Sequence, residues 1–272
     1  MPGKICALLI SLFLSLGCGR PANVVLDQGT LSATLTVFAA ASLTDAFTEI
    51  GREFEAAHPG VRVTFNFAGS QQLAQQLAQG APGDVFASAN QQQMEAAVDS
   101  ERIAAGAVQT FVQNRLVVIF PADNPAGISR LQDLANPGLK VLLAAAVVPV
   151  GQYSLDFLDK AGQETAFGPE FKEHVLANVV SYEENVRSVL TKVALGEADA
   201  GIVYASDVAG SGRDRVAKLA IPDTLNTVAS YPIAAIDDSN QPELAQAFVA
   251  FVLLPAGQQT LSDHGFVPLQ QE

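Results

Sequence analysis

The sequence predicts an α/β protein built from mixed, mostly parallel sheets with helices on both faces. From Thr34 onward, short apolar segments alternate with segments of helical periodicity, and no internal repeat or low-complexity stretch interrupts them. Of the 272 residues, 49% are hydrophobic, which is enough for a sizeable core. A chain of this length corresponds to one large domain or two of medium size.

The N-terminal segment predicts export rather than folded structure. Residues 1–17 have the pattern of a signal peptide, because a positive charge precedes an apolar run that is too short to span a membrane. Cys18 follows a glycine and resembles a bacterial lipoprotein cleavage site, at which Cys18 would be lipidated. A plain signal peptide cut nearby is the alternative. Residues 18–33 predict a tether of small and polar residues.

Charge and cysteine content exclude several classes of function. The net charge is −13 and no Lys/Arg cluster occurs, which argues against nucleic-acid binding. Cys6 and Cys18 are the only cysteines, and both lie in the N-terminal segment. This arrangement excludes a disulfide framework and a cysteine-based metal site.

The first half of the alternation predicts three strands, each followed by a helix. Apolar residues at helical spacing predict the first helix, and strict alternation predicts the second strand. The predicted strands are Thr34–Phe38, Val61–Phe67 and Asp84–Ser88, and the predicted helices are Leu43–Ala57, Leu73–Leu77 and Gln91–Val98.

The second half continues the pattern with longer apolar strands. The predicted strands are Arg115–Phe120, Leu139–Ala145, Ala200–Ala205 and Ser230–Ile236. The predicted helices are Tyr153–Lys160, Glu170–Ala177, Val186–Ala194 and Glu243–Leu254.

Two serines stand where a strand passes into a helix. Ser42 and Asp45 form an S-x-x-D pattern that is typical of a helix capping box. Ligands of parallel sheets bind beyond the carboxyl ends of the strands, so the Ser42 hydroxyl could instead face a ligand. Ser70 occupies the same position after the next strand.

Two further helices begin after strands, one following Gly151 and one with Asn185 as its predicted cap. The start of a helix exposes unpaired N–H groups and the positive end of its dipole, so converging helix starts bind an anion without Lys or Arg. Tyr204 ends an apolar strand, where its ring either packs in the core with the hydroxyl at the rim or faces a ligand.

Enzyme signatures are weak in this chain. It contains no G-x-S-x-G elbow, P-loop, H-E-x-x-H or kinase motif. Each of its three histidines lies in a segment that predicts solvent exposure.

Five segments follow one another in order along the chain: "VFAAASLTDAF", "FAGSQQLAQQLAQGAPGDVFASA", "VPVGQYS", "NVRSVL" and "GIVYASD". With these segments, the chain from about Thr34 to Pro268 resembles the periplasmic molybdate-binding proteins of ABC transporters.

The resemblance implies a ligand site without catalytic residues or a cofactor, in which molybdenum is bound only as its oxyanion. It implies that Ser42 and Ser70 each contribute a hydroxyl and a backbone N–H, that Val150 and Val186 contribute backbone N–H groups, and that Tyr204 contributes its hydroxyl.

Two positions depart from the family pattern. Val150 stands where alanine is common, and its branched side chain could alter the size of the cavity. Asn185 replaces an aspartate; it can still cap its helix and removes a negative charge near the anion.

The resemblance also implies the two-lobed type II periplasmic binding protein fold, with two crossover strands near Arg115–Phe120 and Val228–Ile236 as a hinge. Residues 34–115 with 229–272 would form lobe 1, and residues 116–228 lobe 2. The implied protein is an extracytoplasmic monomer that closes on molybdate and delivers it to an inner-membrane permease with its cytoplasmic ATPase.

Molybdate is an unprotonated dianion, so it accepts hydrogen bonds and donates none. Tungstate is nearly the same size and is expected to bind as well. A receptor for sulfate or another oxyanion is the first alternative, because sulfate offers the same chemistry in a smaller ion. An extracytoplasmic hydrolase using Ser42 or Ser70 is the second, although no histidine lies in the matching loops.

Overall fold

The computed structural model describes residues 33–269, and within them two mixed β-sheets are flanked by helices. The strands are β1 (Ala33–Ala40), β2 (Val61–Ala68), β3 (Val85–Ala87), β4 (Gln109–Asn114), β5 (Leu116–Pro121), β6 (Val141–Ala144), β7 (Val179–Glu183), β8 (Ala200–Tyr204), β9 (Val216–Ala220), β10 (Ala229–Ala235) and β11 (Val267–Pro268).

The helices cover the faces of these sheets. They are α1 (Thr44–Ala57), α2 (Ser70–Ala78), α3 (Gln91–Asp99), α4 (Pro149–Gln163), α5 (Phe171–Ala177), α6 (Val186–Ala194), α7 (Ala205–Ala209), α8 (Pro242–Leu253) and α9 (Pro255–Asp263). Short 3-10 helices occupy Ala41–Leu43, Ala105–Ala107 and Leu131–Ala135. Among the residues described, no single helix has the length and hydropathy to cross a bilayer; only α8 and α9 taken together do, with a bend of 62° between them.

The strand order determines where the carboxyl ends of the parallel strands lie in each sheet. The first sheet has the order β11-β4-β10-β3-β1-β2, and the second has the order β7-β6-β8-β5-β9. Strands β1, β2 and β3 run parallel, as do β6, β7 and β8, so their carboxyl ends meet at one edge of each sheet. Ser70, Val150 and Val186 lie in the first turns of helices that begin at these edges. Ser42 lies in the 3-10 turn before α1, and Tyr204 is the last residue of β8.

The predicted predominance of parallel pairs is wrong, although the sheets are mixed as expected. Strands β4 and β5, and strands β10 and β11, pair only antiparallel in the structure. The physical reason is that the chain passes between the sheets without a crossover helix. A single residue, Arg115, separates β4 in the first sheet from β5 in the second.

Aromatic residues hold α1 to the first sheet. Phe47 and Phe54 on α1 are fully buried and pack against Phe65, Phe111 and Phe248. Burial of each such side chain stabilises the fold by about 1.5–3 kcal/mol. This packing fixes the position of the turn that precedes α1, which contains Ser42.

Every helix and strand predicted from periodicity is present, with shifted ends. Helix α4 begins four residues earlier than predicted, because Pro149 lacks an N–H and suits the first helical position. The sequence analysis does not predict strands β4, β7, β9 and β11 or helices α7 and α9, since their apolar runs are short or irregular. The predicted signal peptide, the tether and the lipidation of Cys18 lie outside the described residues, and the predicted lobe boundaries stay a prediction.

Candidate anion site between the two sheets

All five residues predicted from the resemblance line one cavity. Ser42 and Ser70 reach it from the first sheet, and Val150, Val186 and Tyr204 reach it from the second. The cavity is small, with a volume of about 10 Å³. The residues around it are neutral, since none of them is Lys, Arg, Asp or Glu.

The hydroxyl of Ser70 is oriented by the neighbouring backbone. Ser70 is the first residue of α2 and is buried, and its Oγ accepts a hydrogen bond of 3.0 Å from the N–H of Ala89. Because this bond uses a lone pair of Oγ, the hydroxyl hydrogen remains available to the cavity. The backbone N–H of Ser70 lies in the first turn of its helix and has no partner within that helix.

Ser42 lies in the 3-10 turn between β1 and α1. Its Oγ is 2.9 Å from the phenolic oxygen of Tyr231, and both groups are buried. The capping-box interpretation of Ser42 and Asp45 is therefore wrong. The 3-10 turn moves the start of α1 to Thr44, which leaves Ser42 too early in the chain to cap the helix.

Val150 and Val186 present backbone N–H groups at the starts of α4 and α6. Asn185 caps α6 as predicted, since its side chain accepts a 3.0 Å hydrogen bond from the N–H of Ser188. Gly151 allows α4 to begin directly against the end of β6. A Cβ at Gly151 would lie 2.1 Å from the carbonyl oxygen of Ala145, which no side chain could tolerate.

Tyr204 ends β8, and its hydroxyl has an unusual environment. The side chain is 1% exposed, and its oxygen has no hydrogen-bond partner among the described residues. A buried polar atom without a partner is costly, so it needs an explanation such as a bound ligand. Burial raises the pKa of Tyr204 well above its usual value, so the hydroxyl keeps its hydrogen and can donate it.

Ion pairs lie beside the cavity rather than in it. Arg187 on α6 donates to the carboxylate of Asp45 on α1 at 2.8 Å and to the carbonyl of Ala41 at 3.2 Å. Its Nε also lies 3.3 Å from the fully buried carboxylate of Asp207. Burial raises the pKa of Asp207 to about 6, although the Arg187 guanidinium favours its charged form.

A second set of contacts joins the sheets at the start of α2. Gln72 donates to the Glu184 carboxylate at 2.7 Å, and Gln71 donates to the Glu184 carbonyl at 2.9 Å. At Gly69, a Cβ would lie 2.6 Å from that same carbonyl, so only glycine permits the approach. Contacts from both sheets therefore surround the cavity.

Each of the polar groups identified here can donate a hydrogen bond at neutral pH. They comprise two serine hydroxyls, one tyrosine hydroxyl and the N–H groups at the starts of three helices. Such a set suits an acceptor-only anion and leaves the proton of a hydrogen-bearing anion unpaired. Within residues 33–269, no cluster of three or more His, Cys, Asp or Glu side chains is arranged to hold a metal ion.

Sequence reasoning missed three residues that support the site. Tyr231 and Asn114 lie on β10 and β4, where they look like ordinary strand residues. Arg187 could have been suspected, because it follows Val186 in a segment that resembles a ligand loop. Its partner Asp45, however, is 142 positions away, and no local pattern joins the two.

Comparison with known proteins identifies the family to which the chain belongs. Residues 35–267 match the family described as bacterial extracellular solute-binding protein. The molybdate-binding protein ModA of Mycobacterium tuberculosis H37Rv is 39% identical over 264 residues, covering 97% of this chain and 96% of that protein. ModA of Escherichia coli K12 is 33% identical over 251 residues, covering 90% of this chain and 91% of that protein.

Solved structures with similar folds include receptors for different oxyanions. The periplasmic molybdate-binding protein of Azotobacter vinelandii has a TM-score of 0.75 at 18% identity, covering 87% of this chain and all of that chain. The sulfate-binding protein SubI of Mycobacterium tuberculosis H37Rv has a TM-score of 0.78 at 18% identity, covering 88% of each chain. At this level of identity the likeness shows the fold and not the ligand.

Proposed function

Because the chain belongs to the bacterial extracellular solute-binding protein family, and matches molybdate-binding relatives along almost its whole length, we propose that it captures molybdate for an ABC transporter. The observation that carries the proposal is the cavity itself. It brings together three residues with hydroxyl groups, Ser42, Ser70 and Tyr204, without a charged side chain in its lining.

The donors at the site match the chemistry of molybdate. The dianion has four acceptor oxygens and no proton, so every hydroxyl and N–H around the cavity can pair with it. The starts of α2, α4 and α6 add the positive ends of their dipoles, each worth about 0.3–1 kcal/mol and up to ~2 kcal/mol when partly buried. The hydroxyl of Tyr204, which has no hydrogen-bond partner within residues 33–269, gains one when an oxyanion enters.

Hydrogen bonding separates molybdate from hydrogen phosphate but not from sulfate. The proton of hydrogen phosphate would remain unpaired among donors, at a cost of roughly 1–3 kcal/mol. Sulfate carries no proton, so only the size of the cavity can distinguish it. Val150 bears on that size, because it is buried and lines the cavity. Tungstate should bind together with molybdate.

Binding is proposed to close two lobes about the segments where the chain crosses between the sheets. One crossing lies at Arg115, and the other lies between β9 and β10. The contacts of Arg187 with Asp45 and of Gln72 with Glu184 would stabilise the closed form, since each joins elements of different sheets. A ligand that binds the closed form better shifts the equilibrium toward it.

The remaining parts of the proposal concern location and partners. The protein acts outside the cytoplasm as a monomer, catalyses no reaction and requires no cofactor beyond its ligand. Its partners are an inner-membrane permease and the associated ATPase, which recognise the closed form. Lipidation at Cys18 would keep it at the membrane surface.

A thermal melt with four oxyanions tests the proposal. Molybdate or tungstate at about 100 times the dissociation constant adds about 2.7 kcal/mol of stability, which raises the melting temperature by about 5–10 °C. Sulfate and phosphate at the same concentration should give much smaller shifts. A clear shift with sulfate, without one for molybdate or tungstate, would replace the assignment by a sulfate receptor.

A further inference from the structure

A chain of buried hydrogen bonds lies directly behind Ser42. The Ser42 hydroxyl contacts the Tyr231 hydroxyl at 2.9 Å, and the side-chain amide nitrogen of Asn114 lies 3.5 Å from the same tyrosine oxygen. Tyr231 and Asn114 are both fully buried. None of the cavity functions described above uses Asn114.

The orientation of the Asn114 amide is determined by its neighbours. Its oxygen accepts the backbone N–H of Arg115 at 2.9 Å, and a backbone N–H can only donate. The amide nitrogen therefore faces the other way, where it donates to Ser206 Oγ at 2.8 Å and to Tyr231 at 3.5 Å. Asn114 thus presents a donor to Tyr231.

This donor sets the direction of the remaining bonds. Since Tyr231 receives a hydrogen from Asn114, its own hydrogen needs an acceptor. Ser42 Oγ lies 2.9 Å away, whereas the nearby Tyr204 oxygen makes no hydrogen bond of normal geometry among the described residues. The reverse direction would leave the buried hydroxyl hydrogen of Tyr231 without a partner, which is costly. Burial raises the pKa of Tyr231, so that hydrogen is retained. The hydrogen of Ser42 is then directed at the cavity.

We propose that Asn114 is a specificity-determining residue, which acts through Tyr231 to make Ser42 a hydrogen-bond donor and so excludes oxyanions that carry a proton. The proposal rests on the proposed function, because it assumes an oxyanion in the cavity. Asn114 itself does not touch the ligand; it is a positioning residue.

The location of the chain of bonds supports this role. Asn114 is the last residue of β4, and Tyr231 lies on β10. These hydrogen bonds therefore lie on the two strands that adjoin the points where the polypeptide passes between the sheets. The pairing of β10 with β4 shifts register between Tyr231 and Pro232, a local irregularity of the kind that re-aims side chains. The ring of Tyr231 is fixed by edge contacts with Phe111 and Phe266.

The test substitutes Asn114→Asp, which keeps the shape and replaces the donor by an acceptor. Tyr231 then donates to residue 114 and accepts from Ser42, whose lone pair turns toward the cavity. Dissociation constants for sodium molybdate, sulfate and phosphate are measured by calorimetry at pH 8 and pH 9, on folded protein checked by thermal melting. Hydrogen phosphate and molybdate both carry two negative charges there, so their ratio cancels the effect of the added carboxylate.

We expect the preference for molybdate over hydrogen phosphate to fall at least tenfold in Asn114→Asp. The preference for molybdate over sulfate should stay within about twofold, because neither ion carries a proton. Tyr231→Phe should weaken molybdate binding roughly three- to tenfold and remove the effect of Asn114→Asp in the double variant. Tyr182→Phe is the matched control, since its side chain is exposed and far from this chain of bonds in sequence.

Two results would overturn the inference while leaving the proposed function intact. One is an unchanged ratio of molybdate to hydrogen phosphate in Asn114→Asp at both pH values. The other is an unchanged molybdate affinity in folded Tyr231→Phe. If the unsubstituted protein bound no molybdate, the proposed function itself would fail.

Discussion

The hydroxyl of Tyr204 allows a test in which binding and stability change in opposite directions. Tyr204→Phe removes one oxygen and retains the ring, which packs edge-on against Tyr231 with centroids 5.8 Å apart. That oxygen is buried and has no hydrogen-bond partner among the described residues. An ordinary structural tyrosine would lose a hydrogen bond in this substitution. Tyr204 has none of normal geometry to lose among the described residues, although the Tyr231 hydroxyl lies near its oxygen.

The magnitudes follow from the role assigned to the hydroxyl. A hydrogen bond to a charged group contributes about 1.5–3 kcal/mol, so its loss should raise the dissociation constant for molybdate roughly 10- to 160-fold. Without ligand, the unfolding free energy should stay unchanged or rise by up to about 3 kcal/mol, because an unpaired buried hydroxyl has been removed.

Two measurements on the same preparation decide the matter. Calorimetric titration with molybdate gives the change in affinity, and urea unfolding without ligand gives the change in stability. Tyr182→Phe, at an exposed position, controls for the substitution itself. A variant with lower stability and unaltered affinity would show that the Tyr204 hydroxyl serves the fold and not a ligand.

Three other substitutions, at residues in or beside the cavity, should change the free energy of unfolding. Ser70→Ala should weaken binding and also cost about 1–3 kcal/mol of unfolding free energy in urea, because the buried N–H of Ala89 loses its acceptor. Arg187→Ala should lower the free energy of unfolding by about 3–5 kcal/mol, because the Asp207 carboxylate loses its cation. Arg130→Ala is the control; this side chain is 71% exposed, so the loss should be less than about 1 kcal/mol. The pKa of Asp207 is about 6 in the folded state, against the ordinary value of 3.8. Between these values the folded state holds a proton that the unfolded state releases. The free energy of unfolding should therefore fall by on the order of 3 kcal/mol as the pH rises from about 4 to 6. Asp207→Asn should abolish this component in urea unfolding at pH 4.5 and pH 7, and an identical pH dependence in both proteins would contradict it.

The sequence was sufficient for those parts of the site that depend on local order. Ser42 and Ser70 follow directly from the rule that parallel strands end where helices begin, and the cap at Asn185 follows from its side chain. The direction of strand pairing was harder to predict, because β5 has the pattern of any buried strand and nothing in its residues indicates an antiparallel partner. The proportion of parallel pairs was wrong for that reason.

The hydrogen-bond partners of the site were beyond local reasoning. The position of Ser42 is predicted from local order, but its contact with Tyr231, 189 positions later in the chain, is not. The same holds for Asn114, whose donor faces Tyr231 only because its oxygen is held by the next backbone N–H. A hydroxyl can donate or accept, and the choice depends on tertiary neighbours that periodicity does not reveal.

The separation of charge from the cavity would allow a protein of net charge −13 to hold the proposed dianion. A Lys or Arg inside the cavity would attract every anion, including those that carry a proton, and selectivity would fall. Placing Arg187 beside the cavity instead uses its charge to join α6 to Asp45 on α1. Selectivity among ions would then depend on the neutral donors, while the ion pair contributes to the contact between the two sheets. The distant carboxylates act weakly, since salt screens exposed charges beyond about 8–10 Å.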